Sequence, residues 1–391
     1  MRSLDPPSNE APRSADSVLA GLDPDQRAAV TAPVGIVVVR AGAGSGKTTV
    51  LTRRIAWRAL SETADIERVL AITFTRQAAT EMRSRLARFD LDGRPVIGTF
   101  HAIARRLMLQ FLEDRNRRIP VIVNNRSSLM SSCMGDDAKS GGIYDVLTAV
   151  DWAHAHMITP SKAAEKLAEA GLKIPLGARR FTEVFEQYER TKKKRGVIDL
   201  NDFMTSVIQE AKKDPRFIES IRFQYRHISV DEAQDMNPLQ YEFLKVLVPN
   251  AADLFLVGDP NQAIYGFNGA NKTLFDELPG FHAGAHVVSL PSNYRCTPEI
   301  VQMAVDTLAK DGQIADAQSK RLSGQVVRLE RCADDAAELK LITKLVQRAE
   351  NGQRTWNDIA VLVRINTLVE SIRKELSAAG IPLRSSRSGG A

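Results

Sequence analysis

Gly35-Ile-Val-Val-Val-Arg-Ala-Gly-Ala-Gly-Ser-Gly-Lys-Thr-Thr49 decides the architecture of this chain. Its first half is a β-branched run without polar alternation, the pattern of a short strand buried in a parallel sheet. Its second half sets Gly42, Gly44 and Gly46 where backbone N–H groups must turn inward around phosphate oxygens. The segment from Thr49 to Leu60 then reads as a helix, whose N-terminal dipole favours an anion. Ala41, Gly42, Ala43, Gly44, Ser45, Gly46, Lys47, Thr48 and Thr49 are therefore the candidate ATP cradle. Lys47 is suited to the β- and γ-phosphates, and the Thr48 hydroxyl to Mg²⁺. Ala41 stands where the strict pattern has glycine, but the strand before the loop and the helix after it supply the required context.

Outward from this loop, strand-like and helical patterns alternate. Val69–Thr73 leads into a helix over 78–88, and Val96-Ile97 into a helix from about His101 to Leu112. After residue 114 the pattern becomes helical only, over 146–156, 161–170 and 181–193, with the basic run Lys192-Lys-Lys-Arg195. Short buried strands resume at Ile228–Val230 and Leu254–Val257. The expectation is an α/β fold: a RecA-like P-loop NTPase domain with a parallel sheet over 21–113 and 213–283, interrupted by a helical insertion over 114–212. A second α/β unit, expected to be incomplete, runs from 284 to 391, with candidate strands at 287–290, 326–329, 359–363 and 381–383. Residues 1–20 read as a disordered leader, rich in Pro, Ser and acidic side chains.

The 391 residues are 43% hydrophobic and 26% charged, which describes a globular chain with material for several cores. The net charge of +6 permits a nucleic-acid partner without requiring one. No segment approaches a membrane span of about 20 apolar residues. Three widely spaced cysteines lack metal-ligand spacing and fit a reduced, cytoplasmic setting.

Two further strand ends carry chemistry. Asp231 and Glu232 follow the strand at 228–230; a carboxylate there can hold Mg²⁺ while the next polarises the attacking water. Gln262, in Gly258-Asp-Pro-Asn-Gln262, is placed to donate to the γ-phosphate or to orient water. Asp235 reads as support for a neighbouring loop.

The chain resembles the superfamily 1 DNA helicases of the UvrD/Rep/PcrA type from about Leu22 onward. The likeness is carried by Leu22-Asp-Pro-Asp-Gln26, the Ala41–Thr48 loop, Thr73-Phe-Thr-Arg-Gln-Ala-Ala-Thr-Glu-Met-Arg83, Gly98-Thr-Phe-His101, Ile198-Asp-Leu-Asn-Asp-Phe203, Asp231–Asp235, Gly258–Ala270 and Asn293-Tyr-Arg295. The resemblance implies that Gln26 reads adenine, Tyr294 stacks on it, Gln262 senses the γ-phosphate, and Arg295 reaches that phosphate from the second α/β domain. It further implies that Phe74, Thr75, Thr99 and His101 contact single-stranded DNA, with Tyr265 and Phe267 facing bases. Stacking of that kind is worth about 1–3 kcal/mol per base and tolerates any sequence. Phe267, Asn268 and Ala233 depart from common family choices.

The family's later motifs, a Thr-Val-His DNA motif, a Lys-Gly-Leu-Glu segment and a second arginine motif, do not occur before Ala391. The expectation is thus an ATP-dependent DNA helicase or translocase with 3′ to 5′ polarity on single-stranded or partly duplex DNA. The alternative is a shortened relative that binds ATP and DNA but does not unwind alone, a protein partner supplying the rest. A small-molecule kinase leaves Gln262 and the aromatic positions without a purpose.

Overall fold

The computed structural model describes residues 14–384, except 124, 141, 249–252, 265, 267, 268, 272, 277–283 and 351–353. The chain divides into two compact units, 1–325 and 326–391.

The first unit opens with α1 (Ala15–Leu19) and α2 (Pro24–Thr31), each entered through a capping box, set by Ser14 and by Asp23 with Gln26. Then come β1 (Ile36–Ala41), α3 (Lys47–Leu60), β2 (Val69–Thr73), α4 (Arg76–Leu86), β3 (Val96–Thr99) and α5 (Phe100–Asp114). The insertion holds β4 (Val121–Ile122), α6 (Arg126–Met134), α7 (Ile143–Ala155), α8 (Pro160–Glu169), α9 (Ala178–Arg195) and β5 (Val197–Ile198). The α/β core resumes with α10 (Leu200–Lys213), α11 (Pro215–Gln224), β6 (His227–Val230), α12 (Pro238–Leu247), β7 (Asp253–Gly258) and β8 (His286–Leu290).

Six parallel strands lie in the order β3-β2-β6-β7-β1-β8. Successive side chains of a strand face opposite sides, and both sides are covered. Val37 and Val39 join the core built with α1 to α4, whereas Val38 joins the core built with α5 and α10 to α12. This double burial is why the strands read as unbroken apolar runs.

Four expectations change. Val18 and Leu19 of α1 are buried in the core beside α3, so order begins well before residue 22; residues 1–13 lie outside the described residues. The segment at 287–290 does not open a separate sheet: β8 pairs in parallel with β1, Val38 opposite Val287. The segments at 326–329, 359–363 and 381–383 form no ladder among the described residues. The second unit is described there by two helices, Asp335–Ala349 and Thr367–Ala378, packed around Val346, Ile372, Leu376 and Ile381. Finally, the insertion is not purely helical, because its entry and exit legs pair as β4 and β5.

The insertion has its own core, from Leu129 and Met130 through Trp152 to Phe181 and Phe185. Lys192, first of the basic run, is 3% exposed and lies 2.9–3.0 Å from Glu189, Asp199 and Asp202. It therefore clasps α9 to the start of α10, and only the later members of the run are solvated. Among the described residues no helix is long and apolar enough to cross a membrane.

Candidate nucleotide and DNA site

The candidate residues of the first unit gather at the carboxyl ends of the strands, where open parallel sheets bind ligands. The phosphate loop leaves β1, Asp231 follows β6, and the Pro260–Gln262 turn follows β7. Gly44 and Gly46 adopt φ of +71° and +89°, a left-handed conformation that side chains resist. Space forbids a side chain as well: a Cβ at Gly44 would lie 2.7 Å from the Arg295 Cβ, and one at Gly46 would lie 2.9 Å from the Gln26 amide nitrogen.

Lys47 Nζ lies 2.6 Å from Glu232 Oε2 across the cleft. Thr48 Oγ1 donates to Asp231 Oδ2 over 3.5 Å, and Asp231 Oδ1 accepts the Glu232 N–H at 3.1 Å. The Asp231 carboxyl is pushed up to about 6 by burial and by the neighbouring Glu232 charge, against the pull of Lys47. Glu232 sits at φ 51°, in the left-handed region, a strained conformation that turns its carboxylate toward Lys47. Asp235 is also pushed up to about 6, by burial and then Glu232, and its Oδ1 is buried without a hydrogen-bond partner.

Gln262, Tyr294 and Arg295 line a cleft of about 290 Å³ together with the loop and Glu232, whereas Gln26 lies behind the loop and does not line it. Tyr294 donates its hydroxyl to Asp23, the N-cap of the helix that carries Gln26. Gln26 is 6% exposed and its amide is already engaged: Nε2 donates to the Ser45 carbonyl at 2.8 Å, and Oε1 accepts from Asp23 N at 3.3 Å. Its observed contact is thus with the loop backbone. Gln262 Nε2 donates to Asp259 Oδ2 at 2.7 Å. Arg295 is exposed, and its guanidinium makes no hydrogen bond among the described residues. It lies within the first unit, on the turn that docks on the loop.

Several contributors were not singled out from sequence. Asn293 is buried; its Nδ2 donates to the Ala43 carbonyl at 2.7 Å, while Oδ1 accepts from Arg295 N and Cys296 N at 2.9 and 2.8 Å. With Tyr294 N donating to Gly44 O at 2.9 Å, this fastens the Tyr294-Arg295 turn to the phosphate loop. Arg85 of α4 also lines the cleft, its Nη1 3.4 Å from Thr49 Oγ1. Gln234 and Asp259 bridge Glu232 to Gln262. Their positions inside quoted motifs were the available signal, but a motif does not name its internal contacts.

The candidate DNA residues occupy the neighbouring strand ends. Thr75 and Thr99 are the N-caps of α4 and α5, accepting from Ala78 N and Ala102 N at 3.0 and 3.3 Å. A helix start carries the positive end of the helix dipole, which favours anions in general. His101 Nε2 is 2.9 Å from Asn201 Oδ1, which joins α5 to α10. Phe74 is half-buried and meets Phe100 edge-on at 5.4 Å, so part of its ring is spent on the core. Asp231 N donates to Ile72 O at 3.0 Å, which ties the acidic pair to β2, the strand that leads into Phe74 and Thr75. Tyr265 and Phe267 lie outside the described residues.

A model of the UvrD/REP helicase N-terminal domain matches residues 22–281, and a model of the UvrD-like helicase C-terminal domain matches residues 288–389. The second match corrects the expectation of a chain that lacks the family's C-terminal motor motifs: both domains of the family are represented. The chain is 34% identical over 395 residues to the ATP-dependent DNA helicase UvrD2 of Mycobacterium tuberculosis strain H37Rv, covering 94% of this chain and 55% of the relative. It is 30% identical over 395 residues to the ATP-dependent DNA helicase UvrD1 of Mycobacterium leprae, covering 94% and 50%. DNA helicase II of Haemophilus influenzae is 30% identical over 391 residues, covering 94% and 51%. The chain spans about half the length of the curated relatives it matches. With two domain models in the family's order, the first over more than half its length, the chain belongs to the UvrD/Rep helicase family.

Proposed function

We propose that this chain binds and hydrolyses ATP and couples the cycle to movement along single-stranded DNA, as a UvrD/Rep-type helicase or translocase of 3′ to 5′ polarity. The observation that carries this reading is the Lys47–Glu232 pair of 2.6 Å beside a loop whose left-handed glycines let Arg295, Asn293 and Gln26 close in on its backbone. In this reading residues 21–113 and 213–283, joined by β8 of the same sheet, form the first motor domain, 114–212 its insertion, and the chain beyond β8 part of the second. The cysteines, unpaired among the described residues, go with a cytoplasmic setting.

Phosphate oxygens would draw Lys47 away from Glu232, and the freed carboxylate becomes the base. It takes a proton from a water whose oxygen bonds to the γ-phosphorus while the bond to the bridging oxygen breaks, leaving ADP and phosphate. Tyr294 offers a ring to the base, Arg295 and Gln262 face the γ-phosphate, and Gln26 holds the loop backbone. The oxygen donors Thr48 and Asp231 fit Mg²⁺, a hard cation, and the raised pKa of Asp231 marks a carboxylate short of positive partners. Mg²⁺ bound there would neutralise charge developing on the phosphates.

DNA is assigned to the α4 and α5 N-termini, with Phe74, Thr75, Thr99 and His101. A narrower reading is that the chain binds ATP and DNA without unwinding alone, a partner protein completing the motor. The test is ATPase rate with and without single-stranded DNA, against Lys47→Ala, together with strand separation. DNA-stimulated hydrolysis with unwinding rejects the narrower reading; no hydrolysis above the Lys47→Ala blank rejects the motor.

A further inference from the structure

The chemistry above gives no task to the buried amide of Gln234. Gln234 is 2% exposed and lies between the two strand-end motifs. Its Nε2 donates to Glu232 Oε2 at 3.0 Å, and its Oε1 accepts the Asp259 N–H at 3.0 Å. Asp259 in turn accepts from Gln262 Nε2 at 2.7 Å and from Asn261 N at 3.0 Å. The orientation of the Gln234 amide is not arbitrary. A backbone N–H can only donate, so the amide oxygen must face Asp259, and the NH₂ group is left to face Glu232. Room for this arrangement depends on residue 258, because a Cβ at Gly258 would lie 2.8 Å from Gln234 Oε1.

Two donors therefore meet on one carboxylate oxygen: Lys47 at 2.6 Å and Gln234 at 3.0 Å. They differ in kind. Lys47 carries charge and is the group that phosphate attracts, whereas an amide donates without charge and has no reason to leave. We infer that Gln234 is a positioning residue: it holds Glu232 in place when Lys47 turns to phosphate, and it ties that carboxylate, through Asp259, to Gln262. A neutral donor suits the first task, since it orients the base without neutralising it. The second task follows from the shared Asp259. When Gln262 Nε2 leaves Asp259 for a γ-phosphate, the turn over 259–262 loses a bond, and the same turn carries the N–H that orients Gln234. The state of the γ-phosphate is thereby registered at the base. The first role rests on the hydrolytic function proposed above; the second requires only nucleotide binding.

The experiment uses the full chain and two variants, Gln234→Met, which keeps the shape without the amide, and Asp259→Asn, which keeps the backbone N–H and neutralises the carboxylate. Urea unfolding verifies that each folds; if Gln234→Met does not, Gln234→Leu, which also lacks the amide, takes its place. The first readout is steady-state ATPase. A displaced base costs about 10²-fold in rate, so kcat should fall by that order while KM changes by less than about twofold. The second readout is the ratio of ADP to ATPγS dissociation constants, measured for Gln234→Met, Gln262→Ala and the double variant. The relay predicts that either single change collapses the ratio and the double adds nothing further. Parallel losses in KM and in both dissociation constants would reduce Gln234 to a structural filler and overturn the inference. So would an unchanged kcat with an unchanged ratio. If the wild-type chain hydrolyses nothing above Lys47→Ala, the motor reading and the first role fail together. The ratio then decides the second role by itself: collapse on Gln234→Met upholds it, and an unchanged ratio overturns it.

Discussion

Replacing Asn293 by alanine removes three hydrogen bonds at once, to Ala43 O, Arg295 N and Cys296 N. Asn293 is 5% exposed, but Arg295 is exposed and Cys296 half-buried, so water can serve part of what is lost. Each net bond is then worth about 1 kcal/mol, and the turn loses about 2–3 kcal/mol. At 1.4 kcal/mol per factor of ten, the equilibrium between docked and undocked turn shifts by about 30- to 150-fold. Because the docked turn presents Tyr294 and Arg295 to the cleft, apparent ATP affinity should fall, by up to that factor. Fluorescent-nucleotide titration measures this, with urea unfolding as the check that the core is intact. Asn293→Asp separates the two halves of the effect: it keeps the acceptor for the two N–H groups, loses the donor to Ala43, and places a negative charge beside the loop. Its loss should equal or exceed that of Asn293→Ala. An Asn293→Ala chain with a native unfolding midpoint and ATP affinity within twofold of wild type would refute the docking argument.

Gly44→Ala should abolish nucleotide binding with little loss of stability, since the added Cβ meets Arg295 and Asn293 from a left-handed backbone on the loop itself; retained affinity in the same titration would count against this. Asp253→Asn should cost about 3–5 kcal/mol in urea unfolding at pH 7, because it leaves Arg54 and Arg58 buried without a counter-charge. The pH course follows from the same cluster. Burial raises the Asp253 pKa, but the His227 hydrogen bond and the charges of Arg58 and Arg54 outweigh it, so the folded value lies below the ordinary 3.8. Its stabilisation is therefore fully present above that value and lost as pH falls through the folded one, and the gap between wild type and Asp253→Asn should narrow on acidification toward pH 3. Single-stranded DNA binding should weaken linearly in log–log salt titrations, by about 0.7 per phosphate contacted; a flat response would remove DNA from the helix N-termini of α4 and α5.

Much of the first unit was legible because its signals are local. β-branched runs are what a sheet covered on both faces demands, and glycines at 42, 44 and 46 are what a phosphate-wrapping turn demands, so strand, loop and helix could be placed in order. Lys47, Thr48, Asp231 and Glu232 were accordingly found together. Misplaced features share a cause. The run at 287–290 reads as a strand anywhere, but only hydrogen bonding to β1 assigns it to the first sheet. Val18 and Leu19 sit in a five-residue helix too short to announce itself by periodicity, held by packing on α3. Lys192 opens a run of four cations, yet three carboxylates from α9 and the start of α10 surround it, which the run alone does not announce.

By itself, then, the sequence determined the phosphate loop, the order of its motifs and the family to which they belong, since each motif is written in residues close together along the chain. Tertiary structure decided which groups complete the cradle. Asn293 reaches Ala43 across 250 positions, Lys47 reaches Glu232 across 185, and Gln234 reaches Asp259 across 25. Hydrogen bonds of that range depend on the parallel register of β1, β6 and β7, which brings distant strand ends to one edge of the sheet. No local period encodes that meeting, and only the assembled sheet creates it.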